Sequence, residues 1–192
     1  MSELLNIHSV IEKSRVNGPG TRLVIFTQGC ERGCSGCFNS ALHTSEGGIR
    51  ISPAELLKTR VSGAIEGITV SGGEPFDQVE ALQRLLKTAK EEFNLSTVVY
   101  TGYNHETLIS RENTAACLDY IDVLIDGEFV ESKKEKTLLA RGSSNQKIII
   151  LNDRYKEEDF HMPGKVEITI GADGTVTSTG FSDPGFGVKD AI

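Results

Sequence analysis

Short runs of apolar, largely β-branched residues recur along the chain at 23–26, 68–70, 97–100, 121–125 and 148–151. Such runs, bounded by turn residues, predict buried strands. Between the second and third the period changes: Val79, Leu82, Leu85, Leu86 and Ala89 recur every three to four residues, which predicts a helix with one apolar face. Another helix starts at Ser52, where Ser52 can cap, Pro53 suits the first helical position and Glu55 completes a capping box. Ile51 and Leu56 can staple that start. Near the C-terminus, residues 166–170 and 175–177 flank Ala172-Asp173-Gly174, the pattern of a β-hairpin. Residues 183–192 read as a loose tail.

Strands separated by helical stretches imply parallel βαβ units with helices outside. A full eight-fold barrel usually takes about 250 residues. A chain of 192 residues therefore points to an α/β fold that is a partial, open barrel or a short sheet. It should form one domain over 1–182, with the C-terminal hairpin at about 165–179.

Composition narrows the function classes. The chain has 20 Lys+Arg against 27 Asp+Glu, a net charge of -7, which argues against a nucleic-acid groove, since phosphate binding needs excess basic residues. No run approaches the ~18 apolar residues of a membrane span. The start MSELLNIHSV lacks the basic-then-apolar order of an export signal. The expected setting is thus the reducing cytoplasm, where the 4 cysteines read as metal ligands or free thiols rather than disulfides.

Three of them fall in Cys30-Glu31-Arg32-Gly33-Cys34-Ser35-Gly36-Cys37, just beyond the first apolar run. Gly29, Gly33 and Gly36 flank the thiols, so the loop can turn them inward while backbone amides approach the sulfurs. A structural zinc site normally takes four protein ligands, and ferredoxin clusters also use four cysteines. The remaining thiol, Cys117, lies in Thr114-Ala115-Ala116-Cys117-Leu118, a helical stretch where it reads as core. Three ligands on a [4Fe–4S] cluster would leave one iron open to a substrate or cofactor.

The Cys-x3-Cys-x2-Cys spacing resembles the radical S-adenosylmethionine (SAM) superfamily, and further segments match in order. Asn17-Gly18-Pro19-Gly20-Thr21-Arg22 resembles the segment before the first strand in enzymes that activate glycyl radical enzymes. Ser71-Gly72-Gly73-Glu74-Pro75 resembles the superfamily's Gly-Gly-Glu motif. Tyr100-Thr101-Gly102-Tyr103, the segment from Ile121 to Gly127, and Arg141-Gly142-Ser143-Ser144-Asn145-Gln146 are similar to the activating enzymes of anaerobic (class III) ribonucleotide reductases.

The resemblance implies an open (β/α)6-like barrel holding one [4Fe–4S] cluster on Cys30, Cys34 and Cys37. It implies SAM as cofactor, cleaved by one electron from the reduced cluster to a 5′-deoxyadenosyl radical. That radical would take a hydrogen from a glycine of a partner enzyme, here an anaerobic ribonucleotide reductase. Reduced flavodoxin or ferredoxin would supply the electron. Gly72 and Gly73, beside Ser71, would admit the methionyl group, and Glu74 would hold its amine. Thr101 and Asp126 stand at strand ends, where open α/β sheets bind ligands. Asp126 reads either as a ligand to a monovalent cation or as a turn residue before Gly127. Ser143, Ser144 and Asn145 read either as SAM contacts or as a polar loop. Lys147 would face the SAM carboxylate as a point charge. Many members carry an aromatic residue just before the third cysteine; this chain has Gly36 there, and Phe38 follows instead, as an adenine contact or as core. His8, His105 and His161 read as structural, while His43 lies close after the cysteine loop. Two other readings use the same residues: a radical SAM enzyme acting on a small molecule or peptide, and a non-catalytic iron–sulfur or zinc module. The hairpin extension carries no assigned role beyond covering a sheet edge.

Overall fold

The computed structural model describes residues 3–137, 139–162, 166–170, 174 and 176–180. The four leading apolar runs form the middle of a seven-stranded sheet. Its strands are β1 (Leu5–Ser14), β2 (Arg22–Thr27), β3 (Ile49–Ile51), β4 (Gly67–Gly72), β5 (Ser96–Tyr100), β6 (Val123–Asp126) and β7 (Lys147–Ile150), in the order β3-β1-β2-β4-β5-β6-β7. The central strands β2, β4, β5 and β6 are parallel, as the alternation of strand and helix implies. The flanks differ. β1 runs antiparallel to β2 and β3, and β7 runs antiparallel to β6. Asp126 pairs with Lys147, so the chain re-enters at the end of the sheet where it left. Between them, the described residues of 127–146 hold a 3₁₀ turn, Glu131–Lys133, and no crossover helix. β1 escapes a periodicity reading because its register shifts between Ile7 and Ser9 and again between Ile11 and Ser14, which breaks the two-residue alternation.

Helix α1 (Pro53–Arg60) has the expected cap and first-position proline, with Ser52 Oγ accepting from Glu55 N at 3.2 Å. α2 (Val79–Glu91) buries Val79, Leu82, Leu85, Leu86 and Ala89. These join α3 (His105–Ile109) and α4 (Glu112–Leu118), through Leu108 and Cys117, in one apolar cluster. From the sheet, that cluster takes Leu23, Ile25, Ile68, Val70, Val99 and Leu124. Full burial of each such side chain is worth about 1.5–3 kcal/mol. The alternate positions turn to the other face. Val98, Val123 and Ile125 pack there with Ala140, Phe160 and Met162, and Val24 and Phe26 pack with Leu42. Helices therefore cover one face, and loops frame a hollow on the other.

β8 (Val166–Ile170) and β9 (Val176–Gly180) form a separate antiparallel pair. Ala172, Asp173, Thr175 and the expected tail at 183–192 lie outside the described residues. No helix among the described residues is long and apolar enough to cross a membrane.

Candidate active site

The cysteine loop leaves the end of β2 and is tied down at its base. Gly29 N donates to Leu42 O at 2.9 Å and Cys30 N to His43 O at 3.0 Å. Cys30, Cys34 and Cys37 are free, partly buried thiols, whereas Cys117 is buried in the helical core. Burial pushes the Cys30 and Cys34 thiols up and the Cys117 thiol up to about 12. Backbone hydrogen bonds from Arg32 to Cys30 and from Phe129 to Cys34 act in the opposite sense.

Gly72 and Gly73 bring the end of β4 against that base. Gly73 N donates to Thr27 O at 2.8 Å and Glu74 N to Gly29 O at 2.9 Å. A Cβ at Gly73 would lie 2.1 Å from Gly29 O, and one at Gly72, whose φ is 104°, would lie 2.5 Å from Thr27 N. The paired glycines are thus required by the approach of two backbones.

Glu74 follows, only 1% exposed. Its Oε1 accepts from Thr101 Oγ1 at 2.8 Å and Phe76 N at 3.1 Å, and its Oε2 accepts from Gly102 N at 2.8 Å. Burial raises the carboxyl to about 7, against the pull of those three donors.

All of these groups border one cavity of about 440 Å³ on the loop-framed face of the sheet. Cys30, Cys34 and Cys37 line it together with Phe38, His43, the 71–74 turn and Thr101. Farther along, Thr69 and Asn17 line it, and the hairpin adds Ser178 and Thr179. Asn17 Nδ2 donates to Thr179 Oγ1 at 2.9 Å, and Arg15 N donates to Glu167 Oε1 at 2.8 Å. The hairpin is therefore a wall of the cavity and not only a cover for a sheet edge.

A family model described as a 4Fe-4S single cluster domain matches residues 16–149. Among similar proteins is the anaerobic ribonucleoside-triphosphate reductase-activating protein of Haemophilus influenzae, 35% identical over 141 residues, covering 68% of this chain and 88% of that relative. The proteins of the same name from Vibrio cholerae and Escherichia coli are each 34% identical, over 154 and 152 residues. They cover 75% and 74% of this chain, and 97% and 96% of their own lengths. The chain belongs to this family of activating proteins.

The donor set fits the group named by the family model. Among the described residues no three His, Cys, Asp or Glu side chains gather about one point as a single metal ion requires. A cubane cluster does not require that, because each thiolate meets a different iron. Three soft sulfur donors on one glycine-rich loop, all facing one cavity, suit an iron–sulfur cluster.

Four of the candidate SAM or cation contacts, Asp126, Ser143, Asn145 and Lys147, stand outside the cavity lining. Asp126 is 2% exposed; its Oδ2 accepts from His105 N at 2.7 Å and its Oδ1 from Lys147 N at 3.3 Å. It joins the start of α3 to β7. Ser143 Oγ accepts from Val130 N at 3.2 Å, and Asn145 Nδ2 donates to Glu128 O at 2.8 Å. Ser144 is exposed, and Lys147 is exposed with Nζ 3.6 Å from Glu106. These groups shape the 127–146 loop, whose Phe129, Glu135, Arg141 and Gln146 face the cavity instead. Arg141 Nε donates to Glu135 Oε2. Burial works against ionisation of Glu135, but hydrogen bonds from Thr137 and Arg141 outweigh it and hold the carboxyl at about 2.

Phe38 is 50% exposed, so it is not core; its ring centre is 4.9 Å from that of Phe129, with Lys134 Nζ 5.1 Å above it. His8, His105 and His161 lie away from the lining, while His43 belongs to it. Thr69 and Tyr100 also line the cavity, although the sequence reading assigned them no role. Alternation had the signal, since they share the face of Ser71 and Val98.

Proposed function

We propose that this chain is the activase of an anaerobic ribonucleotide reductase, installing a glycyl radical on that partner. In this reading Cys30, Cys34 and Cys37 would hold a [4Fe–4S] cluster, leaving one iron without a protein ligand and open to SAM. Bound there, the cluster would supply the one electron that splits SAM into methionine and a 5′-deoxyadenosyl radical, which would take a hydrogen from a glycine Cα of the partner. The observation that carries the reading is the meeting of the three thiols with the Gly73–Glu74–Thr101 corner in one cavity. In this reading Glu74, ionised on contact, would accept hydrogen bonds from the ammonium of the methionyl group. Thr101 and Gly102 fix its carboxylate through their donors. Phe38 and Phe129 offer aromatic faces to an adenine ring beside the cysteine loop. The walls of loops and hairpin exclude water from a reactive carbon radical.

The same reading takes the parallel strands with helices outside as an open (β/α)6-like barrel. It takes 1–182 as one domain, working in the cytoplasm with reduced flavodoxin or ferredoxin as donor. The protein is reconstituted anaerobically with iron and sulfide, reduced, and given SAM with and without the reductase. A glycyl doublet in electron paramagnetic resonance that needs both SAM and the reductase is the expected result. Deoxyadenosine without that doublet would move the substrate to a small molecule or peptide. No deoxyadenosine from a loaded, reduced cluster would leave a binding module.

A further inference from the structure

Arg32 lies between the first two cysteines, and its side chain is folded back rather than left in solvent. Its Cζ sits 4.8 Å from the centre of the Tyr103 ring, and Nη2 is 3.9 Å from Glu128 Oε2. A Cβ at Gly102 would come 2.3 Å from Arg32 Nε and 2.5 Å from its Cδ, so the Arg32 side chain fills the space that a side chain at 102 would need. Nε is buried and has no hydrogen-bond partner among the described residues. The side chain lines the cavity beside Cys30, Cys34 and Cys37.

Glu74 lines the same cavity as the thiols, and so do Lys134 and the Glu135–Arg141 pair, but of these cations and Arg32 only Arg32 is carried by the cysteine loop itself. A cluster held here gains negative charge on reduction, and its potential follows the net charge and hydrogen bonding around the sulfurs. An arginine clamped by a ring, a glycine and a carboxylate is a charge fixed in place.

We propose that Arg32 is a positioning residue that sets the reduction potential of the cluster, its guanidinium held over the cysteine loop by Gly102 and Tyr103. The inference rests on the cluster assignment above and adds a role for a residue outside the three ligands. Its charge stabilises the reduced state, so removing it makes the cluster harder to reduce. Gly102 belongs to the same device, because any side chain there displaces the guanidinium without removing its charge.

The test is an anaerobic redox titration of the reconstituted protein, followed by the electron paramagnetic resonance signal of the reduced cluster, with iron and sulfide counted for each variant. Arg32→Gln should shift the potential to more negative values. Arg32→Lys keeps the charge and should stay nearer the wild type. Gly102→Ala should fall between the wild type and Arg32→Gln. Arg32→Gln titrating with the wild type at equal cluster content would overturn the proposal. Should Arg32→Gln fail to take up iron, Gly102→Ala decides the matter by the same criterion. A wild-type protein that binds no [4Fe–4S] cluster would sink the underlying assignment, and the iron count tells that failure apart.

Discussion

A single carboxyl concentrates the chemistry of the site. Glu74 is nine-tenths or more removed from water yet receives three hydrogen bonds from the chain, and burial still raises it to about 7. The folded protein therefore favours the protonated acid relative to the unfolded chain. Its contribution to stability is full below the ordinary carboxylate value and is lost as pH rises through about 7. At about 1.4 kcal/mol per unit, the effect is on the order of 3 kcal/mol. Glu74→Gln should flatten the fall in stability of the cluster-free protein between about pH 5 and 7, measured by urea unfolding. In the proposed reading, SAM binding would reverse the preference, because an ammonium group needs the ionised form. The dissociation constant for SAM should rise as pH drops below about 7, approaching tenfold per unit. A pH-independent constant in the loaded protein would show that Glu74 does not meet the amine. The Gly-Gly-Glu signature was legible in the sequence, but its partner was not: nothing in spacing alone joins Glu74 to Thr101 and Gly102, 27 and 28 residues away.

Strands are tied to one another by residues that hydropathy cannot flag. Arg22 opens β2 and is fully buried. Its Nε donates to Thr69 Oγ1 at 2.7 Å, Nη2 to Ile68 O at 2.6 Å, and Nη1 to Ser96 Oγ at 3.0 Å, so one guanidinium joins β2, β4 and β5. Burial lowers its affinity for the proton. Arg22→Met would leave several buried acceptors unpaired, each costing about 1–3 kcal/mol. A loss of at least about 3 kcal/mol in denaturant unfolding is expected, and a near-neutral result would show that water replaces the guanidinium. Asn17, five residues earlier, ties the β8–β9 hairpin to the cavity rim through Thr179. Asn17→Ala should raise amide exchange in 166–170 and 176–180 while leaving β4 and β5 protected; uniform change across the sheet would contradict a local clamp. Both residues sit in the Asn17-to-Arg22 segment, so the sequence marked the place without revealing the work. The central strands and α2 were legible because burial imposes a simple period on them. β1 was not, because two register shifts scramble its alternation, and β7 hides its direction because direction depends on how the loop before it returns.

Across the whole molecule the two faces of the sheet divide the labour. The helix-covered face is largely apolar and holds the fold, so Leu85→Ala, at a fully buried α2 position, should cost about 2–5 kcal/mol with cluster content unchanged below the melting temperature. The open face holds the cavity, and the family match ends at residue 149, before its last wall is built. Residues 152–162 bring Phe160 and Met162 onto Val98, Val123 and Ile125, and the hairpin then adds Ser178 and Thr179. A chain ending after Met162 keeps that apolar cluster and every cysteine but loses the hairpin wall. It should still take up iron and sulfide and still cleave SAM when reduced. With the cavity open to water on that side, more deoxyadenosine should form for each glycyl radical, because a radical formed there meets solvent reductant or escapes before it meets the partner's glycine. The ratio of the two products, measured against the full chain at equal cluster content, separates the roles. An unchanged ratio would return the hairpin to a purely structural part, while a truncated chain without iron would mean that the hairpin supports the cysteine loop itself.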